Sequence, residues 1–550
     1  MPSVSSTAAA VTVGITGIWA LYSSFFLLRN YIKACAIGVP IRVIPVSHSN
    51  PFWMLMDRPV LSVLRRFGLG STSFARYGFR LWEIEDRAKS HQEMGPAFIL
   101  VTPDRNWLYI ADPDTINEVF RRRTDFPRCV ELTEVLDVFG PSIATAEGAR
   151  WKVQRKIVTS CFTEPTNEIV WSESLWLAKD MLQYWTSKPS LATTARDCRT
   201  LSLNVLSRAG FGKSFKFEGQ EEQTSSSETY QGSLQMILEN CFLIFAFGTK
   251  ALGNPWLPEK LNKVHKACEA FRNYMTTMYE EAKGADNSTS KNFIASLVRA
   301  SQREDEHALT EKELYGNMFT FNFAGHDTTA HTFTFALYFL AAHPDVQAWI
   351  NEEIREVLKD EDCSYTSDFP RLKRCLALML ETLRLYTPVP VAKWIESQEQ
   401  SLNIGGGKTV VLPPNTMVLP SYAAIQSEPD HWGNDPLVWR PSRWIESTSD
   451  STSRPGSEEL INWRKGTFLG WSDGARDCPG RKFSQVEFVA TMATLFRDWR
   501  VDPVLEPGET LKSAQERVKK LIETDSGPVL LLQMLHPERA PLRWTPWETE

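Results

Sequence analysis

Gly470-Trp471-Ser472-Asp473-Gly474-Ala475-Arg476-Asp477-Cys478-Pro479-Gly480-Arg481-Lys482-Phe483 is the stretch on which the reading of this chain turns. It sets one cysteine just ahead of a run, Arg481 to Trp499, whose apolar residues Phe483, Val486, Phe488, Val489, Met492, Leu495 and Phe496 recur at nearly helical spacing. A cysteine before a helix start lies beside unpaired amides and the positive end of the helix dipole. Both favour thiolate over thiol and suit the sulfur to act as an anionic metal ligand. Gly474 permits a tight turn with positive φ, and Gly480 lets the backbone approach a flat ligand closely. An arbitrary cysteine is more often a small buried hydrophobe, so the case rests on what surrounds it.

Moving outward, Thr310 and Glu313 form a capping box that opens a long, mostly apolar helix running to Ala342 and stopped by His343-Pro344. At ~1.5 Å per residue it is roughly 50 Å long. Its middle carries Ala324-Gly325-His326-Asp327-Thr328-Thr329, an acid and two alcohols set between apolar runs. In an ordinary buried helix the threonines would bond to carbonyls one turn back and the acid would find a base. Beside a site that activates oxygen, an acid and an alcohol in a dry pocket can deliver protons one at a time. Glu381-x-x-Arg384 shares one face of a helix expected from about Asp368 to Tyr386, among enough leucines to be partly buried. Trp151-x-x-x-Arg155 puts an indole N–H and a guanidinium on one helical face.

In this order, the four pieces resemble the cytochrome P-450 family. Its signature Phe-x-x-Gly-x-Arg-x-Cys-x-Gly is matched at every position but the first, where Trp471 stands, and its Ala/Gly-Gly-x-Asp/Glu-Thr-Thr motif is complete at 324–329. The resemblance implies haem b with Cys478 as axial iron ligand, Trp471 and Gly480 beside it, and Arg476, Trp151, Arg155 and Lys393 toward the propionates. It implies that Asp327 gates protons and Thr328 hydrogen-bonds the dioxygen. Arg443, from Trp439-Arg440-Pro441-Ser442-Arg443-Trp444, completes a structural triad with Glu381 and Arg384. Phe321, Ala324, Val389 and Val391 are candidates for the substrate pocket, and their apolar character suits a lipophilic small molecule.

The rest of the sequence narrows the class. Nine cysteines without paired spacing argue against zinc and disulfides. A net charge of −6 gives no support for nucleic-acid binding. No nicotinamide or flavin loop is evident, since Gly405-Gly406-Gly407 reads as a hairpin turn. Electrons must therefore come from another protein: by resemblance an NADPH-dependent cytochrome P-450 reductase, with a b-type cytochrome as a second donor. Arg150, Lys152, Arg155 and Lys156, with Arg476, Arg481 and Lys482, suggest a basic face for an acidic donor. The charge-free run from Ala8 to Leu28, followed by Arg29 and Lys33, reads as a membrane span with the remaining chain on the cytosolic side.

The expected organisation is a membrane anchor over 1–29, a Pro-containing tether over 30–52 and a catalytic domain over 53–550. Ser/Thr-rich stretches at 219–232, 284–292 and 446–459 read as surface loops. The fold class is mainly α with small β-sheets, a cytochrome P-450 fold preceded by a single N-terminal transmembrane helix. The expected function is an endoplasmic-reticulum haem-thiolate monooxygenase that hydroxylates or epoxidises its substrate. The wording is closest to fungal microsomal members, which points to secondary metabolism. Alternatives are desaturation or rearrangement on the same haem, and a non-catalytic haem sensor, which would have no need of the Asp327-Thr328 pair.

Overall fold

The computed structural model describes residues 4–217, 229–284, 292–359, 363–446 and 455–547, with the side chains of 4–16, 51 and 55 left out. Most of the three Ser/Thr-rich stretches therefore lies outside the described residues. The fold is mainly helical with small sheets, and it packs into two compact units.

The first unit comprises 1–129, 390–437 and 463–477. Its centre is a five-stranded sheet of order β1-β2-β3-β7-β4, from Ile41–Val43, Ala97–Val101, Asn106–Ile110, Thr416–Pro420 and Lys393–Ile395. β2 and β3 pair antiparallel, β3 and β7 parallel. AFILV and NWLYI are buried at every position, so these strands are covered on both faces and carry no solvent-facing alternation. β5 (Gln400–Asn403) and β6 (Thr409–Leu412) form a separate hairpin. Its turn runs through Gly405, Gly406 and Gly407 at φ of 85°, 60° and 73°, which is where glycine is required.

An N-terminal helix spans Val4–Ile37, continuing past residue 29. Its end is built into the sheet: Asn30 Nδ2 donates to the carbonyls of Thr102 at 2.9 Å and Pro103 at 3.2 Å, and Asn106 Nδ2 donates to Asn30 O at 3.0 Å. Residues 41–43, placed by the sequence in the tether, form the edge strand β1. Among the described residues no helix is long and apolar enough to cross a membrane. Much of the expected 1–29 anchor falls where side chains lie outside the described residues.

The second unit comprises 130–389, 438–462 and 478–550. Its axis is the long helix Glu311–Ala342, 32 residues, with Thr310 as N-cap and both bonds of the capping box formed. The helix Thr194–Phe211 lies along it, and the cysteine helix Arg481–Phe496 packs on helices Glu164–Thr186 and Lys373–Leu385. Backbones approach closely where Gly316 meets the carbonyls of Gly140 and Pro141, leaving no room for a Cβ. Small two-stranded sheets, β8 (Trp499–Pro503) with β11 (Leu542–Pro546) and β9 (Ser526–Pro528) with β10 (Leu532–Met534), close the unit.

The helix expected from Asp368 starts later, at Lys373. Pro370 lies in a 3-10 turn, Phe369–Arg371, because proline cannot donate to a preceding carbonyl and disfavours helical backbone before it.

Candidate functional site

Cys478 is exposed, two residues short of Gly480, the N-cap of the cysteine helix. That helix runs inward to wholly buried Val486, Phe488, Val489 and Met492. Gly480 has an ordinary φ of −85°. A Cβ there would meet nothing nearer than Phe162 at 3.6 Å and Cys478 Sγ at 3.8 Å. Neither the backbone nor the chain's own packing requires glycine at this point. An exposed sulfur at a helix start beside a bare glycine is the surface a flat, thiolate-ligated ring needs, so the residues fit haem.

On the long helix, every residue from Glu313 to Ala342 is buried except four: Phe321, Gly325 and Thr328 are half-buried and Ala324 is exposed. These fall at i, i+3, i+4 and i+7, one face of the helix. Thr328 Oγ1 donates to Ala324 O at 3.0 Å, so its hydroxyl sits one turn back on the carbonyl of the exposed residue. One ring relates this face to the cysteine helix. Phe162 lies 5.8 Å from the Phe321 ring and 6.2 Å from that of Phe483, besides facing Gly480. Phe321 itself stacks on Phe293 at 3.6 Å and packs edge-on to Phe211, which commits much of its surface to the core.

Asp327 leaves that face for another. Arg199 Nε donates to its Oδ1 at 3.0 Å, and His331 Nε2 lies 3.4 Å from Oδ2. Burial alone would push the carboxyl up; the His331 and Arg199 charges override it and hold Asp327 well below the usual carboxylate range. His326, next in sequence, is buried and kept neutral by that burial, with Nδ1 2.5 Å from Asn322 O.

Glu381, Arg384 and Arg443 come together. Arg384 Nε and Nη2 donate to the two Glu381 oxygens at 2.8 Å, and Arg443 Nε donates to Oε1 at 2.9 Å. The Arg440 amide and Trp444 Nε1 complete the cage, each at 2.9 Å. Burial would raise Glu381, but the two guanidinium groups and these donors hold it below its ordinary value. This ties the helix Lys373–Leu385 to the segment Pro441–Trp444.

Trp151 is buried and Arg155 half-buried, one turn apart on Gly148–Thr159. In the first unit, Lys393 and Arg476 are buried, with exposures of 2% and 8%. Arg128 joins them, bridging to Lys393 through its backbone and donating from Nη2 to Arg476 O at 3.0 Å. Two buried cations and a half-buried one at this locus match a dianionic group such as a pair of propionates. Trp471 is half-buried and packs edge-on to Phe468 at 6.0 Å. Val391 packs against the core of the first unit, whereas Val389, in the second, is 43% exposed.

The expected basic face is smaller than the charge count suggests. Arg150 is bound by Glu313 and by the carbonyls of Glu306 and Ala308. Lys482 sits over the Phe369 ring at 4.0 Å, and Arg476 is buried. Lys152, Lys156, Arg481 and Lys482 remain exposed.

The sequence reading did not find Phe162, Arg128, Arg199, His331 or Trp444. Phe162 and Arg128 lie in segments with no motif. Arg199 is 128 positions from the acid it pairs with. The i, i+4 spacing of Asp327 and His331 was available as a signal.

The family model for cytochrome P450 matches residues 83–525. A cytochrome P450 monooxygenase of Arthrobotrys oligospora is 29% identical, covering 92% of this chain and 93% of its own length. A phomenoic acid biosynthesis cluster cytochrome P450 monooxygenase of Leptosphaeria maculans is 31% identical, with 96% and 97% covered. Another monooxygenase of this kind, from Penicillium rubens, is 26% identical over 92% of the chain and 94% of its own length. With the model matched over most of its length, and fungal monooxygenases alike from end to end, this chain belongs to the cytochrome P450 family as one of its monooxygenases.

Proposed function

We propose that the protein hydroxylates or epoxidises a lipophilic small molecule in fungal secondary metabolism, with electrons from an NADPH-dependent reductase. The observation that carries this reading is an exposed Cys478 at a helix start, in the same unit as a long helix whose one open face is Phe321, Ala324, Gly325 and Thr328. Cys478 supplies the ligand for haem. When bound, the haem supplies the centre at which dioxygen is reduced and one oxygen atom passes to substrate.

The chain's own residues do the rest. Ala324 is exposed with only a methyl group, so a small molecule can lie against the helix there, while Gly325 lets Leu206 of the helix Thr194–Phe211 approach, a Cβ meeting it at 2.8 Å. Thr328 holds a proton at Oγ1 on the carbonyl of Ala324 and can release it by rotating away. Asp327, one residue before Thr328 and held ionised between His331 and Arg199, would gate protons as the resemblance implies. Lys393 and Arg476 in the first unit, and Trp151 and Arg155 in the second, each offer donors that would suit propionates, and the Glu381 cage holds the segment Pro441–Trp444.

The name of the Leptosphaeria relative, which ties it to a biosynthesis cluster, supports a place in secondary metabolism. Anchorage to the endoplasmic reticulum, with the catalytic body cytosolic, is supported by the exposed apolar residues Ile18, Leu21, Phe25 and Leu28 on the N-terminal helix. Exposed Lys152, Lys156 and Arg481 suit an acidic electron donor, a reductase or a b-type cytochrome.

The test is untargeted mass spectrometry of host extract incubated with membranes carrying the protein, its reductase and NADPH, against a Cys478→Ala control. A new species heavier by one oxygen supports the reading. Consumption of a compound without oxygen gain would replace it with desaturation or rearrangement, and no change in any compound would favour a non-catalytic role.

A further inference from the structure

We propose that His331 recharges Asp327 with protons drawn from a cleft on the flank of the long helix, which makes it the relay residue of the reaction. The inference rests on the proton-delivery reading of Asp327 and names the source of its proton.

The cleft has a volume of about 340 Å³. Its rim carries Arg196, Glu239 and Glu538, all exposed, and its floor carries His326, Asp327 and His331, all buried. Water at the rim therefore has a polar path inward to the acid.

Two side chains touch the Asp327 carboxylate from opposite ends, and only one of them can carry a proton to it. Arg199, fixed by a further bond from Nη2 to Gln533 Oε1 at 3.0 Å, is a donor with no acceptor atom. An imidazole can take a proton at one ring nitrogen and give one up at the other. His331 Nε2 is within 3.4 Å of Asp327 Oδ2 yet makes no aligned hydrogen bond, so a small movement completes the transfer. His326 is not a rival. Its Nδ1 is engaged by Asn322 O, and burial keeps the ring neutral. The Cys241 thiol, the other titratable group that feels Asp327, is pushed up to about 12 by burial and is silent at neutral pH. Because Asp327 is held ionised between turnovers, it must be loaded before it can donate.

The balance is R–H + O₂ + 2 e⁻ + 2 H⁺ → R–OH + H₂O, with electrons from NADPH through the reductase and protons from water. At His331 one N–H bond breaks as one O–H bond forms on Asp327. The neutral imidazole then takes a proton from water in the cleft, and hydroxide leaves to solvent.

The experiment compares wild type, His331→Gln and Asp327→Asn as haem-loaded proteins with reductase and the substrate found as above. It measures product formed per NADPH and turnover from pH 5.5 to 8.5. Glutamine keeps a donor toward Asp327 and cannot relay. For His331→Gln the inference expects about tenfold lower turnover and lower product per NADPH, with an unchanged KM. A His331→Gln profile matching wild type, while Asp327→Asn loses coupling, overturns the inference alone. Full coupling in Asp327→Asn overturns the proton-delivery reading itself. If His331→Gln fails to take up haem, His331→Asn is measured in its place, and coupling equal to wild type overturns the relay.

Discussion

Replacing Glu381 by alanine removes one carboxylate from beneath two buried guanidinium groups. Its side chain and that of Arg384 are wholly inaccessible to solvent, and that of Arg443 is 6% accessible. Breaking a buried pair by deleting one partner costs about 3–5 kcal/mol, because the other charge stays buried. Here two charges, the Arg440 amide and the Trp444 indole N–H lose their acceptor together, which places Glu381→Ala at the upper end. The folded-to-unfolded ratio should fall by roughly 10³- to 10⁴-fold, out of a total stability of only about 5–15 kcal/mol for a typical protein. The yield of haem-loaded protein and the urea midpoint of the Soret band measure the effect. Glu381→Gln should fall between wild type and Glu381→Ala.

The pH dependence has a definite sign. Folded Glu381 lies below its unfolded value, so its contribution is complete above about pH 4.3 and is lost as pH falls from there through the folded value. The advantage of wild type over Glu381→Gln should shrink in acid. A Glu381→Ala protein with the wild-type urea midpoint and wild-type haem content would refute the claim that this cage holds the segment Pro441–Trp444 in place.

Two further outcomes follow from single polar side chains. Thr328→Ala should keep the haem spectrum while product per NADPH falls several-fold and peroxide rises, checked by peroxide assay against NADPH consumed; acid–base contributions of this kind reach ~10²- to 10⁴-fold. Glu487, two turns into the cysteine helix, is fully buried with no hydrogen bond to either oxygen, and burial pushes it up to about 8. It binds a proton when folded that it loses when unfolded, so wild type should lose stability as pH rises from about 4.5 to 8. Glu487→Gln should escape that loss, gaining on the order of a few kcal/mol over wild type by pH 8, read as urea midpoints across pH.

Much of the fold was legible because its signals are local. The long helix announces both ends, with Thr310 and Glu313 at one and His343-Pro344 at the other, and its bounds fall there. The strands Ala97–Val101, Asn106–Ile110, Thr409–Leu412 and Thr416–Pro420 are short apolar runs, a signal that is likewise local. What was hidden depends on distance in sequence. Nothing in the run around Arg199 says that it reaches Asp327, and nothing around Phe162 says that it lies between Phe321 and Phe483. Charges were counted correctly but not their uses: Arg150 reads as one of four bases on a face, while its guanidinium is committed to Glu313, which also caps the long helix. The open face at 321, 324, 325 and 328 was present as a motif, but only burial of the surrounding helix distinguishes it from core.

The most direct test of the central claim is the carbon monoxide difference spectrum of reduced membranes carrying wild type or Cys478→Ser. Thiolate ligation by Cys478 predicts the red-shifted Soret band in wild type and its loss in the variant. Retention of that band in Cys478→Ser would contradict the assignment of Cys478 as the iron ligand.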